Sequence, residues 1–156
     1  MGGSSNRETL IDEDEMNDKI GKLNAHWVWL FALGAVLLSL GGAYATAGLG
    51  AKVSSAVYFG VFLFSGFAAT VLTKAKAAMS LAAVLGASIL SAASYYFIAM
   101  QAVADATGAM GAAEAGGMLG AALGIFVAVI TFFVSAAGGV SGALAGLRAR
   151  KQLATA

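Results

Sequence analysis

Long uncharged runs alternate with short charged patches along this chain. The charge-free, mostly apolar intervals are 25–51, 53–73, 77–104 and 115–147. A bilayer core takes about 20 apolar residues at about 1.5 Å each, so every interval is long enough to cross once and too short to cross twice. The pattern predicts an all-α polytopic membrane protein: four transmembrane helices in a compact bundle, over about 27–47, 55–73, 78–103 and 118–147. These make a transmembrane domain of residues 25–151, preceded by a polar tail (1–24) and followed by a short end (152–156).

The tail has its own pattern. Met16, Ile20, Leu23 and Trp27 recur at helical spacing, placing them on one face. Thr9 followed by Asp12 resembles a capping box, and 12–15, all acidic, would lie near the positive N-terminal end of such a helix. A short amphipathic helix leading into the first span is expected. Its acid-rich composition suits a basic partner better than anionic lipid heads.

Composition agrees with the pattern: 60% of the 156 residues are hydrophobic and 11% charged, where soluble domains carry about 25% charged. The net charge of +1 gives no case for nucleic acid. With both termini inside, Arg7, Lys19, Lys22, Lys74, Lys76, Arg148, Arg150 and Lys151 fall on one side and Lys52 alone on the other. That asymmetry predicts an N-in, C-in topology in a bacterial or archaeal cytoplasmic membrane. The chain has no cysteine and no proline, so thiolate chemistry and proline-kinked helices are ruled out.

Trp27 and Trp29 then fall at the inner headgroup level and Tyr95 and Tyr96 near the outer one, the expected places for interfacial anchors. The segment 104–117 reads as an outer loop of small residues with two carboxylates, Asp105 and Glu114. Two acids are too few oxygens for a hard cation, and lone His26 lacks co-ligands, so no metal site is predicted.

Glycines are dense in AGGMLGAALG, but the segment lacks the spacing of a phosphate loop. At helical spacing, Gly116, Gly120 and Gly124 fall four apart, and Gly138, Gly142 and Gly146 do so again. The two sets are offset by only about 40° around the helix, so the two glycine zippers share one face of it. In water each glycine would cost a helix about 1 kcal/mol relative to alanine. In lipid the backbone has no other partner, the helix persists, and the bare ridge lets a neighbour approach closely. Gly34, Gly41 and Gly48 repeat the device seven apart in the first span.

No Asp, Glu, Lys or Arg lies well inside a predicted span, which argues against proton relays, ion coupling, Schiff-base cofactors and voltage sensing. Polar span residues are hydroxyls: Ser39, Thr70, Ser88, Ser91, Ser94, Tyr95, Thr131 and Ser135. LGGAYATAGLG resembles the first helix of rotary-ATPase proteolipids, whose rotor function needs a mid-membrane carboxylate that this chain lacks. VLTKAKAAMSLAAVLGASILSAASYYFIAM resembles a microbial-rhodopsin hairpin, without the later lysine that would bind retinal. HWVWLFALGAVLLSLGG is similar in texture to small HdeD-type acid-resistance proteins over about one span.

No nucleophile, acid–base pair, metal cluster or cofactor motif emerges, so no enzymatic activity is expected. The expected role is a structural or accessory subunit that works through glycine-lined packing against other membrane subunits or copies of itself. The alternative is an oligomeric channel or permease passing a small neutral solute along hydroxyls.

Overall fold

Side chains face opposite ways here from those of a water-soluble protein. Leu37, Phe64, Ile89, Phe126 and Phe133 point outward, while Ala35, Ala83, Ala87, Ser39, Ser88, Ser91 and Ser135 are buried. The computed structural model describes residues 26–42, 44–45, 51–73, 76–109 and 113–153. The acidic tail, and with it the expected amphipathic helix, lies outside the described residues.

The described chain is helical throughout its elements: α1 (His26–Gly42), α2 (Ala51–Leu72), α3 (Ala77–Gly108) and α4 (Ala113–Leu153). Three of them are long and apolar enough to cross a membrane, over Ser55–Leu72, Ala77–Gly108 and Gly116–Leu153; α1 is a shorter apolar helix. The chain has the make-up of an integral membrane protein.

Both α3 and α4 run further than their apolar patterns suggest. At about 1.5 Å per residue the 32 residues of α3 extend about 48 Å and the 41 of α4 about 60 Å, against about 30 Å of hydrocarbon. Much of the expected outer loop, 104–117, is therefore helix: α3 continues to Gly108 and α4 begins at Ala113. Alanine dominates this stretch and is the best helix former. The two extensions also pack on each other, with Gly116 set against the Thr107 side chain.

The glycines of α4 divide between two neighbours. A Cβ added to Gly120 would stand 3.0 Å from the Met100 carbonyl oxygen, and one on Gly124 would stand 2.9 Å from the Tyr96 ring, both on α3. Toward the other end the neighbour is α2: a Cβ on Gly138 would stand 2.7 Å from the Phe59 carbonyl oxygen, one on Gly142 would fall on the backbone of Leu63, and one on Gly146 would stand 3.0 Å from the Thr70 Cβ. Gly66 of α2 and Gly139 of α4 meet backbone to backbone, with Val84 of α3 packed against Gly139. Neither Gly66 nor Gly139 stood out in the sequence, because neither has another glycine four residues away.

In α1 the outcome differs from expectation. A Cβ on Gly34 or on Gly41 would meet nothing within 4 Å, so these glycines bring no helix of this chain closer. Gly48 lies outside the described residues. The buried side of α1 is instead Val28, Ala32, Ala35, Val36 and Ser39, which pack with Tyr58, Phe62, Ala83 and Ala87. Valine and alanine at i, i+4, i+7 and i+8 already form a low ridge, which leaves the glycines on the outer flank.

One buried hydroxyl has no partner. Ser80 Oγ, with its residue only 1% exposed, makes no hydrogen bond among the described residues. Its neighbours along the junction of α1, α2 and α3 include Val28, Ala83, Val84 and Ala87. Leaving a hydroxyl unpaired in such surroundings costs about 1–3 kcal/mol. Ser80→Ala is therefore expected to raise stability by about 1 kcal/mol in reversible unfolding from mixed micelles. A loss of stability would show instead that the hydroxyl is engaged.

Candidate functional site

The polar centre of the bundle is a cluster of hydroxyls to which every helix contributes. Most hydroxyls in the spans bond a carbonyl one turn back on their own helix: Thr70 Oγ1 to Gly66 O (2.8 Å), Ser88 Oγ to Val84 O (2.9 Å) and Ser94 Oγ to Leu90 O (3.0 Å). This is how a small polar side chain is accommodated at little cost in hydrocarbon. Ser39 on α1 and Ser135 on α4 follow the same habit, donating to Val36 O and Thr131 O, both at 2.8 Å.

Tyr58 on α2 breaks the pattern by reaching across. Its hydroxyl lies 2.5 Å from Ser91 Oγ on α3, and the Ser135 and Ser39 hydroxyls converge on it as well. Ser39 and Ser135 spend their protons on their own helices and offer lone pairs to it. Between Tyr58 and Ser91 either oxygen can donate.

Tyr95 completes the cluster from one turn further along α3. Its hydroxyl donates to the Ser39 carbonyl oxygen over a long 3.3 Å, and its ring meets that of Tyr58 edge-on, with centroids 5.6 Å apart at 86°. Phe62 stacks obliquely on the other side of Tyr58 at 5.2 Å. The cluster is thus a rigid aromatic and hydroxyl node rather than a set of isolated polar atoms.

Two concavities adjoin this core. A cleft of about 380 Å³ lies between α2, α3 and α4, walled by Tyr58, Tyr95, Phe126, Ile130 and Thr131 with Ser55 at its rim. A wider apolar groove of about 630 Å³ runs between α1 and α2, with Gly34 and Gly60 in its walls and Trp27 at one end. A Cβ on Gly60, as on Gly34, would meet nothing within 4 Å.

The residues expected to anchor the chain at the interfaces are distributed unevenly. Trp27 and Trp29 are about half exposed, Trp27 in the groove and Trp29 with its ring edge over Gly86 of α3. Tyr95 and Tyr96 do not stand out as an exposed belt. Tyr95 turns into the hydroxyl node, and Tyr96 lies under Gly124, stacked edge-on against Phe97 at 5.3 Å. The physical reason is that a glycine opposite a tyrosine creates a recess that the ring fills. The exposed aromatic of this trio is Phe97.

Sequence reasoning singled out Ser39, Ser91, Tyr95 and Ser135 only as separate hydroxyls, and it passed over Tyr58. A tyrosine early in an otherwise apolar span was the available signal, since a buried phenol generally has a partner. Among the described residues no three His, Asp or Glu side chains come together in a way that would hold a metal ion. Arg150, near the end of α4, reaches the Thr70 carbonyl oxygen at 3.5 Å and so places a positive charge by the last turn of α2. No protein-family model, no curated protein and no solved structure matches this chain.

Proposed function

We propose that this chain is a four-span integral membrane protein, with both termini in the cytoplasm, that serves as a structural or accessory subunit. It packs through glycine-lined helix faces against a larger membrane complex or against copies of itself. The observation that carries this reading is the groove between α1 and α2. Its walls are apolar, and its two glycines, Gly34 and Gly60, have open space where a side chain would be. From Trp27 to Leu38 it runs about 16 Å, or some three turns of helix. A transmembrane helix with a flat face of small residues suits that trough, because association in lipid rests on close packing rather than on apolar burial. The positive-inside asymmetry supports the orientation. The acidic tail, with Asp12, Glu13, Asp14, Glu15 and Asp18, then offers a cytoplasmic surface for a basic partner.

A test is to fill the trough. The wild-type chain, extracted in mild detergent, is expected to migrate with a larger assembly on native electrophoresis. Gly34→Leu combined with Gly60→Leu should release it without loss of helix content, since a Cβ at either position meets nothing within 4 Å in this chain. Migration of the wild type as a single chain would defeat the subunit role. Retention of the assembly by the double variant would exclude this groove as its surface.

A second reading is an oligomeric channel or permease for a small neutral solute. It is favoured by the cleft beside the hydroxyl node, which has hydroxyls in its walls and no charged side chain. A discrete homo-oligomer giving solute flux in reconstituted vesicles would select it over the accessory role.

A further inference from the structure

The cleft beside Tyr58 and Tyr95 differs from the long groove in having hydrogen-bonding side chains in an apolar wall. We propose that it is a binding site for one uncharged lipid bearing a hydroxyl at its polar end, of the diacylglycerol type. This goes beyond the packing role, since the cleft lies on the α2–α4 side of the bundle and shares none of the groove's lining residues.

Three observations identify the ligand class. The first is size and make-up: about 380 Å³, with Phe126, Val127, Ile130 and Val134 forming an apolar wall along α4 and the hydroxyl-bearing residues Tyr95 and Thr131 in its lining. Small-molecule sites are commonly clefts of about 300–1,000 Å³ with a few convergent polar groups. The second is access. Phe126 and Ile130 are among the outward-facing residues of α4, so the cleft opens sideways toward hydrocarbon and a ligand would come from the bilayer.

The third is depth. Along α3, Tyr95 stands about 28 Å from Lys76 at the basic end, close to the full thickness of about 30 Å of hydrocarbon. Its side chain reaches back to the Ser39 carbonyl oxygen, about 20 Å along α1 from His26, so the hydroxyl lies about 10 Å inside the opposite headgroups, where only an uncharged head is tolerated, while the wall from Phe126 to Val134 descends about 12 Å toward the middle. A polar group held at Tyr95 would thus have its hydrocarbon tail in hydrocarbon. No charged side chain lines the cleft, so an anionic or cationic headgroup would find no counter-charge there.

The geometry also says how the head would be held. The Tyr95 proton goes to the Ser39 carbonyl oxygen, which leaves the phenolic lone pairs free to accept. A ligand hydroxyl donates to Tyr95 Oη, and the Thr131 side chain offers a second partner on the facing wall. The edge-on contact with Tyr58 holds the Tyr95 ring in place before anything binds.

The full chain, purified in mild detergent and incubated with 1,2-dioleoylglycerol, dioleoylphosphatidic acid or hexadecane, tests the site by lipid retention in native mass spectrometry. Dioleoylglycerol is expected to be retained one to one, at least about tenfold better than either comparator, the difference a matched hydrogen bond and an uncompensated charge together produce. Ile130→Trp, which fills the cleft from its lipid side, should abolish retention. Tyr95→Phe, which keeps the ring and removes the acceptor, should lower it about three- to fivefold, the worth of one such bond. If Ile130→Trp fails to assemble, Tyr95→Phe alone carries the test. Retention of dioleoylphosphatidic acid equal to that of dioleoylglycerol, unchanged retention in Tyr95→Phe, or no retention by the wild type would each overturn the assignment.

Discussion

Gly142→Ala, the addition of a single methyl group, is expected to destabilise the bundle by about 3 kcal/mol, the upper part of the range for overpacking. The new Cβ would land on the Leu63 carbonyl oxygen, 2.8 Å from the Leu63 carbonyl carbon and 3.0 Å from the Phe67 nitrogen. All three obstacles are backbone atoms, so no side chain can rotate away and α2 and α4 must separate. Separation forfeits the dispersion contacts along the whole seam, which also includes Gly66 against Gly139 and Gly138 against Phe59. Gly34→Ala is the control. Its Cβ meets nothing within 4 Å, so it should change stability by no more than about 0.5 kcal/mol, with helix propensity favouring alanine. The comparison is made by reversible unfolding in mixed micelles. Equal stabilities for the two variants would mean that α2 and α4 are not in backbone contact.

Tyr58→Phe is expected to cost about 1–2 kcal/mol. Hydrogen bonds between membrane helices average about 0.6 kcal/mol and reach about 1.7, and this hydroxyl bonds Ser91 directly with those of Ser135 and Ser39 beside it. The cost falls unevenly among them. Ser39 and Ser135 keep their bonds to Val36 and Thr131, whereas Ser91 is left buried without its cross-helix partner. Ser91→Ala in the Tyr58→Phe background should therefore be nearly free, although Ser91→Ala alone carries a cost. A double-mutant cycle should give a coupling of about 1 kcal/mol between the two positions. Additive losses would mean that the hydroxyls of Tyr58 and Ser91 act separately and that the node is no more than a coincidence of neighbours.

The two experiments probe different kinds of specificity. Glycine seams set how near the helices come, and they tolerate sliding along the ridge because one bare turn resembles the next. The hydroxyl node selects one register, since Ser39, Tyr58, Ser91 and Ser135 meet only when all four helices are at the right height. Packing without the node would leave the bundle with several near-equivalent arrangements.

Several features were legible from one dimension. Charge-free runs placed the helices because a long uncharged apolar segment has few alternatives to helix in hydrocarbon. Gly116, Gly120, Gly124, Gly138, Gly142 and Gly146 were picked out by their period, and each of them is buried. The same rule applied to Gly34 and Gly41 pointed to a face that this chain leaves uncovered. A period identifies a bare ridge without saying whether a neighbour lies on it. Stopping α3 near residue 103 and starting α4 near 118 followed hydropathy, which measures transfer to lipid. Helix formation in the α3–α4 extensions follows alanine propensity and the Thr107–Gly116 contact instead.

What the amino-acid order determined by itself is local: which segments are helical, how apolar they are, and which turns are stripped of side chains, because these depend on residues within a few positions of one another. Only the tertiary structure decided that Gly116, Gly120 and Gly124 of α4 face α3 while Gly138, Gly142 and Gly146 face α2. It also decided that Tyr58 gathers a hydroxyl from each of the other helices, and that Gly34 and Gly41 of α1 are left facing outward. Those outcomes depend on the relative rotation and height of helices far apart in the chain, and near-uniform apolar surfaces carry almost no pattern from which either can be read.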